Sequence, residues 1–213
     1  MSATTLPRSA GTGLLVYAAG TFAAFAFAGS PGGDYSAGGV ASYIGPAHAP
    51  VAFTLWYVAA LSALALVVFG AGVRRTPAIG GPMAALATIG AALSATGAWL
   101  AGGVAVGMVE GGGAVQSGVP APVVYLITEI GNLMCVCAPA LCVGVIGIVL
   151  AVRGALSPWL RVVSVIGGIC GILAPFYLTY FAYLLWVLVL GIVVLARRTP
   201  ATESARTTAA LSS

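Results

Sequence analysis

Glu129 is the residue with the clearest chemical potential, because it is the only acidic side chain inside an apolar stretch of this 213-residue chain. Asn132 follows three residues later and Tyr125 precedes it by four, so the three side chains share one face of an α-helix. A carboxyl group in a bilayer needs a partner, a water-filled cavity or a proton. The pattern predicts either a protonatable or cation-coordinating site, or a protonated carboxyl group that fixes helix packing.

A second candidate group surrounds His48, the only histidine, which lies at the mouth of a predicted span. Asp34 and Glu110 occupy loops on the same predicted side and could orient His48 as a general base. One histidine excludes bis-histidine haem and histidine-rich metal sites. An interfacial histidine without a catalytic role is the simpler interpretation.

The remaining motifs favour no cofactor and no metal. The chain contains no lysine, which excludes Schiff-base chemistry. Cys135 and Cys137 are separated by one residue, so they do not form the C-x-x-C motif of redox or zinc sites. Nucleotide-binding, hydrolase and metalloprotease motifs are missing from the sequence. We therefore predict no cofactor and no nucleic-acid partner, and an enzyme is the less expected class.

Composition identifies the solvent around these residues as lipid. Hydrophobic residues make up 61% of the chain, charged residues 6%, and the mean hydropathy is +1.10. Soluble domains carry roughly a quarter charged residues, so this chain cannot cover a water-facing surface. Apolar runs of 18 residues or more indicate membrane-spanning helices. The lipid bilayer is therefore the first predicted partner.

The apolar runs predict an all-α, polytopic membrane helix bundle between residues 12 and 198. Residues 1–11 form a polar N-terminus, and residues 199–213 form a polar tail that we expect to be disordered. The last apolar block is too long for one helix and is divided near Pro175, which places the nearby tyrosines, including Tyr180 and Tyr183, at headgroup level. The six predicted spans are 12–29, 51–73, 83–106, 123–152, 160–175 and 180–196.

The first span also has the features of a secretory signal. Arg8 precedes an apolar stretch that ends in Ala26-Phe27-Ala28, an A-x-A cleavage motif. An uncleaved span is favoured, because the stretch is long for a signal sequence and the rest of the chain is also apolar. Cleavage would leave five spans in the same orientation.

Arginine placement predicts the orientation of the bundle. Positive residues concentrate in cytoplasmic loops, so both termini are expected in the cytoplasm. The opposite loops hold Asp34 and Glu110 and no basic residue. Seven arginines fall on one side of the six-span arrangement: Arg8, Arg74, Arg75, Arg153, Arg161, Arg197 and Arg198.

Small residues at four-residue spacing predict where helices approach closely, because helices in lipid associate by close packing. One stripe in the third span comprises Gly90, Ser94, Ala98 and Gly102, and the fifth span adds Gly167 and Gly171. Such faces could pack within the bundle, between copies in a homo-oligomer, or against another membrane protein.

Five features lie between residues 34 and 75: Asp34-Tyr35, Val40 to Tyr43, His48, Tyr57 and Arg74-Arg75. With these features, this part of the chain resembles small multi-pass bacterial membrane proteins grouped in families of unknown function. The resemblance covers residues 34–75. It implies a six-span protein of the bacterial cytoplasmic membrane and carries over no activity and no functional residue.

Three function classes follow from these patterns. The favoured one is a structural or accessory membrane protein that packs through small-residue faces. The second is a small transporter or channel that uses Glu129. The third is a membrane enzyme with an outer-face site near His48.

Overall fold

The computed structural model describes residues 6–28, 37–77, 79–176 and 178–196, and every regular element among them is a helix. Asp34 and the tail from residue 199 onward lie outside the described residues. The described residues form nine helices: α1 (Arg8–Phe27), α2 (Ala37–Tyr43), α3 (Ala49–Ala63), α4 (Ala65–Val73), α5 (Gly80–Glu110), α6 (Gly112–Gly118), α7 (Ala121–Val152), α8 (Pro158–Ile172) and α9 (Leu178–Ala196).

In the part of the chain that the structure describes, five helical segments are long and apolar enough to cross a membrane: α1, α3 together with α4, α5, α7 and α9. The predicted all-α membrane bundle is confirmed, and the chain is a multi-pass helical membrane protein. The fifth predicted span, residues 160–175, corresponds to α8, which has only 15 residues. Its length of about 22 Å is shorter than a hydrocarbon core of about 30 Å.

The six segments form a closed ring in chain order. Each packs against the next, and α9 returns to pack against α1. Neighbouring segments are antiparallel: the chain near Gly11 in α1 meets Gly191 in α9, and Gly13 meets Ala65 near the α3–α4 junction. Five described arginines consequently share one end of the ring, here called the arginine end: Arg8, Arg74, Arg75, Arg153 and Arg161. The opposite end, with Glu110 and the start of α7, is called the acidic end.

The predicted stripe on α5 lies between α7 and α3. Gly90 faces Cys142 and Pro139 of α7, and Gly102 faces Trp56 of α3. Ser94 and Ala98 are fully buried. In the other predicted pair, Gly167 lies under the indole of Trp186, and Gly171 lies beside Ala140 and Tyr183. These small residues let helices of the same chain approach closely.

Ser94 also supplies a hydrogen bond that is missing from the backbone of α7. Pro139 lies inside that helix and has no N–H, so the carbonyl oxygen of Cys135, four residues earlier, loses its helical donor. The Ser94 hydroxyl donates a 2.8 Å hydrogen bond to this oxygen from α5. In lipid, such donors from neighbouring helices allow a proline inside a spanning helix. α7 therefore continues through Pro139 to Val152.

Candidate functional site

The predicted polar face of α7 points into the bundle. Asn132 is 4% exposed, Tyr125 is 9% exposed, and Glu129 is half-buried between them. Tyr125 packs with Val40 of α2 and Met108 of α5 near the acidic end. The 3.6-residue period thus places all three side chains on the interior side of α7.

Cys135 of α7 lies near polar side chains of the first and last spans. Tyr17 and Thr21 are one turn apart on α1, and both are fully buried. On α9, the rings of Tyr180 and Tyr183 stack with centroids 5.9 Å apart. Tyr17 lies within electrostatic range of three side chains of the other two helices: Cys135, Tyr180 and Tyr183. We call the group Tyr17, Thr21, Asn132, Cys135, Tyr180 and Tyr183 the interior polar cluster.

Sequence reasoning missed the part of this cluster that lies outside α7. Tyr180 and Tyr183 were expected at headgroup level, but both are fully buried in the bundle. The available signals were the four-residue spacing of Tyr17 and Thr21 and the three-residue spacing of Tyr180 and Tyr183 in apolar runs. Such spacing predicts a common helix face and does not reveal that α1 and α9 meet.

Five atoms of the interior polar cluster make no well-formed hydrogen bond in the described part of the chain, although the hydroxyls of Tyr17 and Tyr183 lie close enough to interact with each other. The five atoms are the hydroxyl oxygens of Tyr17, Thr21, Tyr180 and Tyr183 and the amide oxygen of Asn132. Buried polar groups are normally hydrogen-bonded, and the cost of leaving them unpaired is greatest where lipid excludes water. The cluster is therefore chemically suited to a polar guest that supplies the missing hydrogen bonds.

The arginine half of the ring interior has a different lining. Large aliphatic and aromatic side chains fill it with no measurable exposure, among them Leu14, Phe69, Ile146, Leu150 and Leu190. Farther along α9, the Trp186 indole donates a 3.1 Å hydrogen bond to the buried Ser164 hydroxyl, so this pair is satisfied. The cluster is thus separated from the arginine end by a packed apolar layer.

At the acidic end, His48 links the start of α3 to the end of α1. Its Nε2 lies 2.9 Å from the carbonyl oxygen of Ala28 at the end of α1, and its ring contacts that of Tyr43. The Tyr43 hydroxyl donates a 2.8 Å hydrogen bond to the carbonyl oxygen of Ala101 in α5. Burial raises the pKa of Tyr43 to about 12, partly offset by the neighbouring Trp56 side chain. His48 therefore occupies a capping position.

The other predicted polar residues do not assemble a metal centre within the described ranges. Glu110 is exposed as the last residue of α5. The four cysteines are free thiols, with Cys135 and Cys142 buried and Cys137 and Cys170 partly buried. Among the described residues, no group of three or more His, Cys, Asp and Glu side chains could hold a metal ion.

Comparison with known proteins gives no match to a family model, to a curated protein or to a solved structure. The resemblance over residues 34–75 stays a prediction.

Proposed function

We propose that this membrane protein is a transporter that binds a small polar solute at the interior polar cluster. The observation that carries the proposal is the convergence of unpartnered, buried hydroxyl and amide groups from α1, α7 and α9. Spanning helices bury such groups at a cost, and intramembrane polar residues commonly mark solute pathways.

The chemistry of the cluster favours a neutral or cationic solute. Hydroxyl groups and an amide can donate and accept hydrogen bonds, and Glu129 on the same face of α7 is a carboxyl group. All described arginines lie at the arginine end, so no described cationic side chain faces the cluster. The aromatic faces of Tyr17, Tyr180 and Tyr183 would also attract a cation.

The apolar layer below the cluster closes it off from the arginine end in this conformation. Leu14, Phe69 and Leu150 leave no polar route toward the arginine end. Transport would require this layer to open when the cluster closes, as in alternating access. Arginine placement supports a cytoplasmic arginine end in a bacterial plasma membrane, with the cluster nearer the outside.

Two other function classes have less support. For an accessory protein, the small-residue stripe predicted on α5 as a partner-binding face packs instead against α3 and α7 of the same chain. An enzyme centred on His48 would need a base free to react. The His48 ring instead lies at the carbonyl oxygen of Ala28.

Flux through reconstituted liposomes tests the proposal. Gradients of protons, monovalent cations, small ammonium compounds and neutral polyols would be imposed, one at a time, across the membrane of liposomes that contain the protein. We expect saturable flux of at least one solute, reduced at least about tenfold by Tyr183→Phe or Tyr17→Phe, because a charged or polar hydrogen bond lost at the site weakens binding. Tyr57→Phe, which removes a hydroxyl from a side chain 44% exposed on α3, is the matched control.

Glu129 is tested in the same assay with Glu129→Gln, which keeps the shape and cannot ionise. Loss of pH-dependent flux with retained folding would place Glu129 in the pathway. Equal flux from parent, Glu129→Gln and Tyr183→Phe would contradict the proposed site, and no flux of any solute would favour the accessory class.

A further inference from the structure

We infer that the groove between the end of α7 and the start of α8 is a binding site for one anionic phospholipid. The groove is independent of the interior polar cluster and lies on the outside of the ring, at the arginine end. Its volume is about 320 Å³, and its lining residues are Ala151, Val152, Arg161, Val162, Val165 and Ile166. Specific ligand pockets begin at roughly 300 Å³.

The apolar walls of the groove face lipid. Val152 on α7 is 74% exposed, and Val162 and Ile166 on α8 are 62% and 59% exposed. Ile166 lies five residues beyond Arg161, so the groove extends about 7.5 Å along α8 below the guanidinium group. When a lipid phosphate binds at Arg161, a groove of this length can hold the glycerol region and the first methylenes of an acyl chain.

The guanidinium group at the mouth is held in place by the preceding loop. Arg161 Nε donates a 2.8 Å hydrogen bond to the carbonyl oxygen of Leu156, and Nη2 donates a 3.2 Å bond to that of Gly154. A guanidinium group has five N–H donors. No acceptor in the described ranges engages the other three, which leaves them in a fixed fork that suits a phosphate.

The loop itself is rigid for a local reason. Gly154 has a φ of +74° and follows the end of α7. Its N–H bonds the carbonyl oxygen of Ala151, and the N–H of Ala155 bonds that of Leu150, which is the Schellman pattern of a helix C-terminus. A side chain at Gly154 would approach Arg161 Nη2 to 3.2 Å. Arg161 is thus pre-organised, which lowers the ordering cost of binding.

Charge complementarity selects an anionic headgroup. Arg153 lies beside the loop, and the N-terminus of α8 adds the positive end of its helix dipole. Glu110 and Glu129, the carboxylates of the described chain, lie toward the acidic end. Basic pockets between spanning helices bind anionic headgroups in the cytoplasmic leaflet.

Lipid retention by delipidated protein in detergent tests the inference. Native mass spectrometry and thermal unfolding would be measured with phosphatidylglycerol and with phosphatidylcholine of the same acyl chains. The parent should retain one phosphatidylglycerol, with an affinity at least about tenfold above that for phosphatidylcholine, and should unfold at a higher temperature in its presence. Arg161→Gln should abolish the difference between the two lipids.

Two further variants separate the site from its surroundings. Ile166→Trp fills the groove and leaves Arg161 and its loop bonds intact, so it should also abolish retention of the single lipid. Arg75→Gln removes an exposed arginine of the α4–α5 loop at the same end and should retain it.

Several results would overturn the inference. Equal losses in Arg75→Gln and Arg161→Gln would indicate diffuse charge attraction. Stabilisation by glycerol phosphate alone would indicate a free phosphate site without an acyl chain. A smaller oligomer in Ile166→Trp would indicate that the groove is an interface between copies of the chain.

Discussion

The two halves of the ring interior lie in the same membrane but have opposite linings, one apolar and one polar. In the arginine half, residues such as Phe69, Ile146 and Leu150 exclude polar atoms, and the nearby Ser164 and Trp186 satisfy each other. From Tyr17 toward the acidic end, every helix of the cluster buries a polar atom that the described chain leaves without a partner. The polar pair beside the arginine half has its hydrogen bond within the protein. The polar atoms of the interior polar cluster would be hydrogen-bonded only when a guest is bound.

This difference shows how one bundle can combine stability with a binding site. Close packing of apolar side chains provides most of the folding free energy in such an interior. Unpaired polar groups reduce this free energy, so the retention of such groups on three helices, α1, α7 and α9, is informative. The comparison predicts that substitutions in the two halves differ in size, and that the sign of the effect in the interior polar cluster shows whether a guest is bound there.

The largest effect is expected in the arginine half. Phe69→Ala should lower the free energy of unfolding by about 3–5 kcal/mol, because it leaves a cavity in a packed layer. Val68→Ala, at a neighbouring position 45% exposed to lipid, is the control and should cost far less. Reversible unfolding in mixed micelles measures both. A small loss for Phe69→Ala would mean that the layer is not tightly packed.

The bond from Ser94 to α7 should have an intermediate effect. Ser94→Ala leaves the Cys135 carbonyl oxygen unpaired and should cost about 1–2 kcal/mol in the free energy of unfolding. In a Pro139→Ala background the new N–H at position 139 bonds this oxygen, so Ser94→Ala should cost less there. A double-mutant cycle measures the coupling. Additive losses would show that the hydroxyl does not compensate for the proline.

The smallest effect is expected in the interior polar cluster, and its sign is decisive. If a polar guest bonds the hydroxyl of Tyr183, then Tyr183→Phe should lower the free energy of unfolding by about 0.5–1.5 kcal/mol. If the hydroxyl is dry and unpaired, the same change should raise stability by about 1–3 kcal/mol. Tyr57→Phe at the lipid face controls for loss of a hydroxyl, and a clear gain for Tyr183→Phe would contradict the account.

The sequence was sufficient for local features and insufficient for long-range ones. Apolar runs bounded by arginines predict the helices, and the helical period places Glu129, Asn132 and Tyr125 on one face. The contact of α1 with α9 joins the two ends of the chain, and nothing in either segment specifies it. Tyr180 and Tyr183 were therefore assigned to the headgroup level, and the capping position of His48 could not be read before α1 and α3 were placed.

The short length of α8 was predicted, but the exact bounds of the helix were beyond the sequence pattern. The apolar run continues to Ala174, but the helix ends at Ile172 because the turn before α9 already begins there. Pro175 marks the turn, yet helix boundaries near a proline vary by several residues. Packing against α7, where Gly168 meets Gly144 and Gly171 meets Ala140, fixes the observed position.

Cysteine accessibility along α7 distinguishes a polar guest site from a dry, packed interior. In a background with all four native cysteines replaced by alanine, Asn132→Cys and Ile146→Cys would each be exposed to a small, charged thiol reagent in proteoliposomes. The account predicts that position 132 reacts from the acidic end and is protected by a transported solute, whereas position 146 stays unreactive from both ends. An unreactive position 132 would contradict a polar guest site, and a reactive position 146 would contradict the apolar layer beneath it.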